Sequence, residues 1–62
     1  MGTNEVQFTK DWNDAKGFPK VVITDNGWMM ATGFIIRANY VALYLDGEHT
    51  ANIKLDSVHT VV

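Results

Sequence analysis

Few residues in this chain could do covalent chemistry. It has no cysteine and two histidines, His49 and His59, which lack the spacing and company of a metal site. No serine–histidine–aspartate or cysteine–histidine nucleophile set is read from the sequence, and no glycine-rich phosphate loop. Asp46 and Glu48 flank Gly47 in a tight turn, where acidic residues are routine. Neither enzymatic activity nor a bound metal or cofactor is therefore expected. The chemistry on offer is that of ligand contact. Arg37 beside Asn39 fits either a solvated loop or a phosphate contact, and Tyr40 fits either a half-buried strand position or a platform for a stacked base.

The elements that must position these residues centre on Lys20–Leu45. Val21-Val22-Ile23-Thr24 is β-branched throughout and runs into Asp25-Asn26-Gly27. Asn-Gly is a strong signal for a tight primed hairpin, whose two central residues take positive φ. A second apolar run, Trp28 to Arg37, contains Gly33, and a glycine inside a strand marks a bend or a close backbone approach. In Tyr40–Leu45, Val41, Leu43 and Leu45 alternate with Tyr40, Ala42 and Tyr44. Asp46-Gly47-Glu48 signals another hairpin, and His49–Asp56 then places Ala51, Ile53 and Leu55 inward and Thr50, Asn52, Lys54 and Asp56 outward. Val58–Val62 makes a last short strand. Ahead of the strands, residues 1–7 read as a loose, flexible arm. Thr9 can cap a short helix that stops at Gly17, with Phe8, Trp12 and Ala15 on one stripe. So short a helix cannot stand alone in water, and Trp12 is read as a core anchor. Of Trp28, Met29 and Met30, core packing is the simpler account of at least two, although together they could expose a partner surface. The expected fold is mainly β: a short N-terminal helix, then a five-stranded, strongly bent antiparallel sheet closing into a small barrel.

Composition bounds the function. Sixty-two residues form one small domain of marginal stability as a lone monomer. With no disulfide or metal available, self-association is the remaining compensation, and the 47% apolar content permits it. Five basic and seven acidic residues leave a net charge of −2, without the basic excess of a typical nucleic-acid binder. No apolar run approaches the ~20 residues of a membrane span, no secretory leader is read, and Val6 is wrong for myristoylation at Gly2. A cytoplasmic protein is expected.

Taken together, the order of elements over residues 8–62 resembles the Sm-like family, and within it the bacterial RNA chaperone Hfq. Pro19-Lys20-Val21-Val22-Ile23-Thr24-Asp25-Asn26-Gly27 resembles the family's run from a proline through β-branched residues to Asn-Gly. Gly33 and Ile35 look like the glycine and aliphatic positions of the first Sm motif, with Asn39 where that motif has Asp. Ile53-Lys54-Leu55-Asp56-Ser57-Val58 is similar to the second motif, and Thr60-Val61-Val62 to the end of many Hfq chains.

The resemblance implies a single Sm-like domain, 8–62, in a homo-oligomeric ring of roughly five to seven subunits that closes head to tail. In such rings the strand preceding the final turn pairs with a neighbour's last strand, which assigns the interface to Ile53, Val58, Val61 and Val62. Loops after the second and fourth strands line a central pore that binds single-stranded RNA, which assigns RNA contact to Arg37, Asn39, Tyr40, Lys54 and Asp56. Departures are present. Ala42 or Leu43 stands where the family has its base-reading Asn, Leu55-Asp56 replaces a Lys-His pair, and the helix keeps only Lys10 and Lys16 of a basic rim. The rival expectation is an SH3-like scaffold module that binds protein partners and no nucleic acid.

Overall fold

The computed structural model describes residues 3–62. The helix, α1, spans Glu5–Asp14. Asn4 caps it, its side-chain oxygen accepting from the Gln7 N–H at 2.8 Å, and Glu5 sits where the helix dipole favours a carboxylate. The expected cap at Thr9 is thus corrected: its hydroxyl donates to the Glu5 carbonyl within the helix, at 3.0 Å. Residues 5–7 of the expected arm are helical, and Met1 and Gly2 lie outside the described residues. The apolar stripe docks as its spacing requires. Phe8 is fully buried, and its ring meets that of Phe34 edge-on, with centroids 5.0 Å apart. Trp12 closes the cluster, 4.7 Å from Phe34, with the Lys20 ammonium over its ring at 5.8 Å.

Six strands follow, one more than expected: β1 (Lys20–Thr24), β2 (Gly27–Ala31), β3 (Gly33–Arg37), β4 (Tyr40–Leu45), β5 (Glu48–Lys54) and β6 (Val58–Val61), with a 3₁₀ turn at Leu55–Ser57 before the last. They form two three-stranded antiparallel sheets, β2-β1-β6 and β3-β4-β5, rather than one closed barrel. The extra strand comes from the bend at Thr32, which splits the long second run between the two sheets. Thr32 holds that corner: its N–H donates to the Tyr44 carbonyl at 2.8 Å, and its Oγ1 accepts from the Asp46 N–H at 2.8 Å.

The turns differ from one another. At Asp46-Gly47 both central residues take positive φ (53° and 84°), as a primed hairpin requires. At Asp25-Asn26 neither does. Gly27 instead carries a φ of 120° at the first paired position, and the Thr24 hydroxyl organises the loop by donating to the Gly27 carbonyl and accepting from the Asn26 N–H. A side chain thereby does what the primed turn was expected to do. His59 Nε2 lies 2.6 Å from Asp25 Oδ1 and ties β6 to this turn.

Phe8, Val22, Val41, Leu43 and Val58 are the largest fully buried side chains. Three residues assigned to a subunit interface belong to this same core: Ile53, Val58 and Val61 are 8%, 1% and 4% exposed. Their side chains fill the chain's own interior, so only Val62 and the backbone edges of β5 and β6 face outward. Trp28 and Met30 are corrected in the opposite sense. Both are exposed, at 67% and 44%, and only Met29 packs on the core.

Candidate nucleic-acid interface

The outer face of the β3-β4-β5 sheet carries the candidate site. Cross-strand partners share a face, and the register sets three outward rows: Arg37–Tyr40–Lys54, Ile35–Ala42–Asn52 and Gly33–Tyr44–His49. The rows between them, Ile36–Val41–Ile53 and Phe34–Leu43–Ala51, point into the core. A β-bulge produces this arrangement. Counting back from the Asp46-Gly47 turn, Tyr44 pairs with His49, and an unbroken ladder would then set Val41 opposite Asn52 and bury a polar amide. The register instead shifts between Leu43 and Tyr44, with Thr50 as the extra residue and its hydroxyl donating to the Leu43 carbonyl at 3.3 Å. The shift returns Ile53 to the core and brings Lys54 opposite Tyr40.

Asn39, Tyr40, Asn52 and Lys54 line one shallow cleft of about 440 Å³ on this face. Asn39 is held there by its backbone, its carbonyl accepting from the Leu55 N–H at 2.9 Å, so the loop after β3 and the turn after β5 are tied together. Ser57 steadies that turn, its hydroxyl donating to the Lys54 carbonyl at 2.9 Å. Of the five assigned contact residues, Asn39, Tyr40 and Lys54 come together. Arg37 stands directly across from Tyr40 without lining the cleft, and Asp56 sits exposed on the 3₁₀ turn outside it. The cleft residue outside that assigned set is Asn52. Its outward position was legible, but its place in the cleft depends on the bulge.

Charge is unevenly distributed. Lys10 is engaged by Asp14 at 2.8 Å, and that hydrogen bond holds its ammonium above the usual lysine range. Lys20 donates to the Ala15 carbonyl. Arg37 and Lys54 make no ion pair among the described residues, and no carboxylate occupies the three outward rows. A chain of net negative charge thus presents a locally basic, tyrosine-bearing face. Among the described residues no three histidine, cysteine or acidic side chains gather as a metal site would require, and no helix is long and apolar enough to cross a membrane.

The cleft's loop is strained. Ala38 has a φ of 49°, a left-handed conformation that disfavours any residue with a Cβ and a β-branched one most. Ala38→Val is expected to destabilise the fold by about 1–2 kcal/mol, while Ala38→Gly matches or exceeds the parent. Urea unfolding of the three proteins checks this, and equal midpoints would remove the strain.

No family model, curated protein or solved structure matches this chain.

Proposed function

We propose that this protein binds single-stranded RNA as an Sm-like, ring-forming domain, with no catalytic activity of its own. The observation that carries the reading is Tyr40, flanked across the sheet by Arg37 and Lys54 and sharing its cleft with Asn39 and Asn52. That set supplies a stacking surface, phosphate-seeking cations and amide readers within one ligand's reach. The order of helix, bent sheet and 3₁₀ turn, and the bond between the loop after β3 and the turn after β5, support the Sm-like placement of this set at a pore. Ring closure draws on the strand edges. β5 and β6 are the outer strands of their sheets, and an unpaired edge is a template for another chain. The contact is therefore backbone pairing between β5 of one subunit and β6 of the next, in place of the buried valines.

Native mass spectrometry at low micromolar concentration, followed by RNA binding at two salt concentrations, tests the reading. The expected results are a single closed assembly and an affinity that falls steeply with salt. A monomer removes the ring, and absence of RNA binding at low salt removes the function. One observation favours a second reading, a protein-interaction module: Val21, Ile23, Trp28 and Met30 line an apolar hollow of about 450 Å³ on the other sheet. On that reading the protein shows no RNA signal at either salt concentration, and Trp28 is the contact residue.

A further inference from the structure

We propose that the outer face of the β3-β4-β5 sheet carries a second base-stacking position at Tyr44, so that one RNA strand runs along β4 from Tyr40 to Tyr44 past Asn52. This rests on the reading of Tyr40 and Lys54 as an RNA site. Tyr40 and Tyr44 occupy the first and third outward rows, on one strand and one face. In the row between them Ala42 is only 5% exposed beneath its neighbours, and Ile35 and Asn52 at its sides are the exposed members. Opposite Tyr44 on β3 stands Gly33, where even an added Cβ would come within 4.0 Å of the Tyr44 Cβ. With glycine there, the β3 flank of the Tyr44 ring carries no side chain. On its other flank, His49 sits with ring centroids 5.4 Å apart, tilted by 49°. The imidazole borders the tyrosine without stacking flat over it.

His49 also orients the middle row. Its Nε2 lies 2.8 Å from Asn52 Oδ1. With Nε2 donating, the Asn52 oxygen is occupied and its amide N–H₂ is left to donate. That donor can reach a carbonyl of uracil or guanine or a ring nitrogen of adenine. An Asn52 oxygen already engaged by His49 does not also accept from the adenine amino group, so adenine loses its bidentate contact and uracil or guanine is favoured. Stacking at either end tolerates any base, so selectivity falls at the centre of the track.

Spacing sets the length of RNA required. Four strand residues separate the tyrosines by about 13–14 Å, or about four stacked base steps of ~3.4 Å. A dinucleotide can therefore engage only one ring, whereas an octanucleotide reaches both.

The test titrates diuridylate, octauridylate and octaadenylate into the parent, Tyr40→Ala, Tyr44→Ala, Tyr44→Phe and Asn52→Ala proteins, with circular dichroism confirming each fold. Tyr44→Ala is expected to weaken octamer binding by about 5–100-fold and to leave dinucleotide binding unchanged. Tyr44→Phe keeps octamer affinity, because the ring and not the hydroxyl makes the stack. Asn52→Ala narrows the preference for octauridylate over octaadenylate. If Tyr44→Ala binds the octamer like the parent while Tyr40→Ala does not, the second position is wrong and the first site stands. If Tyr40→Ala also binds like the parent, or the parent binds neither oligomer, both assignments fall together.

Discussion

Phe8→Ala is expected to abolish the cooperative unfolding transition at physiological temperature. Phe8 is completely buried, meets Phe34 edge-on at 5.0 Å and stacks loosely with Trp12 at 6.2 Å. Truncating a buried phenylalanine to alanine costs about 3–5 kcal/mol, through lost transfer energy and the cavity left behind. The whole domain has about 3–9 kcal/mol available, at ~0.05–0.15 kcal/mol per residue. The two quantities are of the same size, so the substitution takes most or all of the stability. The helix gains least from its own hydrogen bonds, because so few turns are unstable in water. Without Phe8 its remaining anchor is Trp12, and the inner face of β3 loses its cover. Thermal melts at one fixed protein concentration read the effect, since association would make the midpoint concentration-dependent. A fall of about 15–30 °C, or no transition at all, is expected, at ~4–8 °C per kcal/mol for a domain of this size. The matched control is Trp28→Ala, which removes a larger ring that is 67% exposed and shifts stability by about 0.5 kcal/mol or less. If Phe8→Ala melts within about 5 °C of the parent, the helix is not part of the core.

The contrast between Phe8 and Trp28 also shows what was legible in the sequence. Period-two alternation located β4 at its observed ends and sorted Val41 and Leu43 inward and Asn52 and Lys54 outward, because burying one face of a sheet leaves no other register. The i, i+4 spacing of Phe8 and Trp12 likewise placed both in the core. Hydrophobicity alone could not place Trp28. It follows a turn on β2, an outer strand, and opposes Ile23, on the face the core does not cover. The last strand lies where the sequence put it, at Val58–Val61. Val58, Val61 and Val62 read as an apolar edge in need of a neighbour, yet so small a chain takes Val58 and Val61 into its own interior and leaves only Val62 exposed.

Long-range hydrogen bonds account for most of the rest. Gly33 announced a bend, but the corner is made by Thr32, whose partners Tyr44 and Asp46 lie on another strand and its turn. The bulge at Thr50 was open to inference, because the Asp-Gly turn set Val41 opposite Asn52 while the alternation wanted it opposite Ile53. Only one extra residue satisfies both. That conflict is the signal that would have placed Asn52 in the cleft.

Tyr40 and Lys54, paired across β4 and β5, are expected to fail in different ways when each is cut to alanine. The tyrosine ring offers stacking, which is worth about 1–3 kcal/mol per base and depends little on salt. Tyr40→Ala should therefore lower RNA affinity by about 5–100-fold and leave the slope of log affinity against log salt as it was. The ammonium offers phosphate neutralisation and counterion release. Lys54→Ala should reduce the magnitude of that slope by about 0.7, the value for one contact on a single strand, with the greatest loss at low salt. Because the two side chains are adjacent, the double variant should depart from the sum of the single ones. Titrations of one oligoribonucleotide at four or more salt concentrations separate the outcomes. Affinity surviving both substitutions within about twofold would move the binding site elsewhere, since less than 0.5 kcal/mol would then reside in the pair. A lost slope without a lost stack would leave Lys54 as a phosphate contact and return Tyr40 to an ordinary strand position. The opposite pattern would make the face a base-stacking surface whose phosphate contacts come from Arg37 or from a neighbouring subunit.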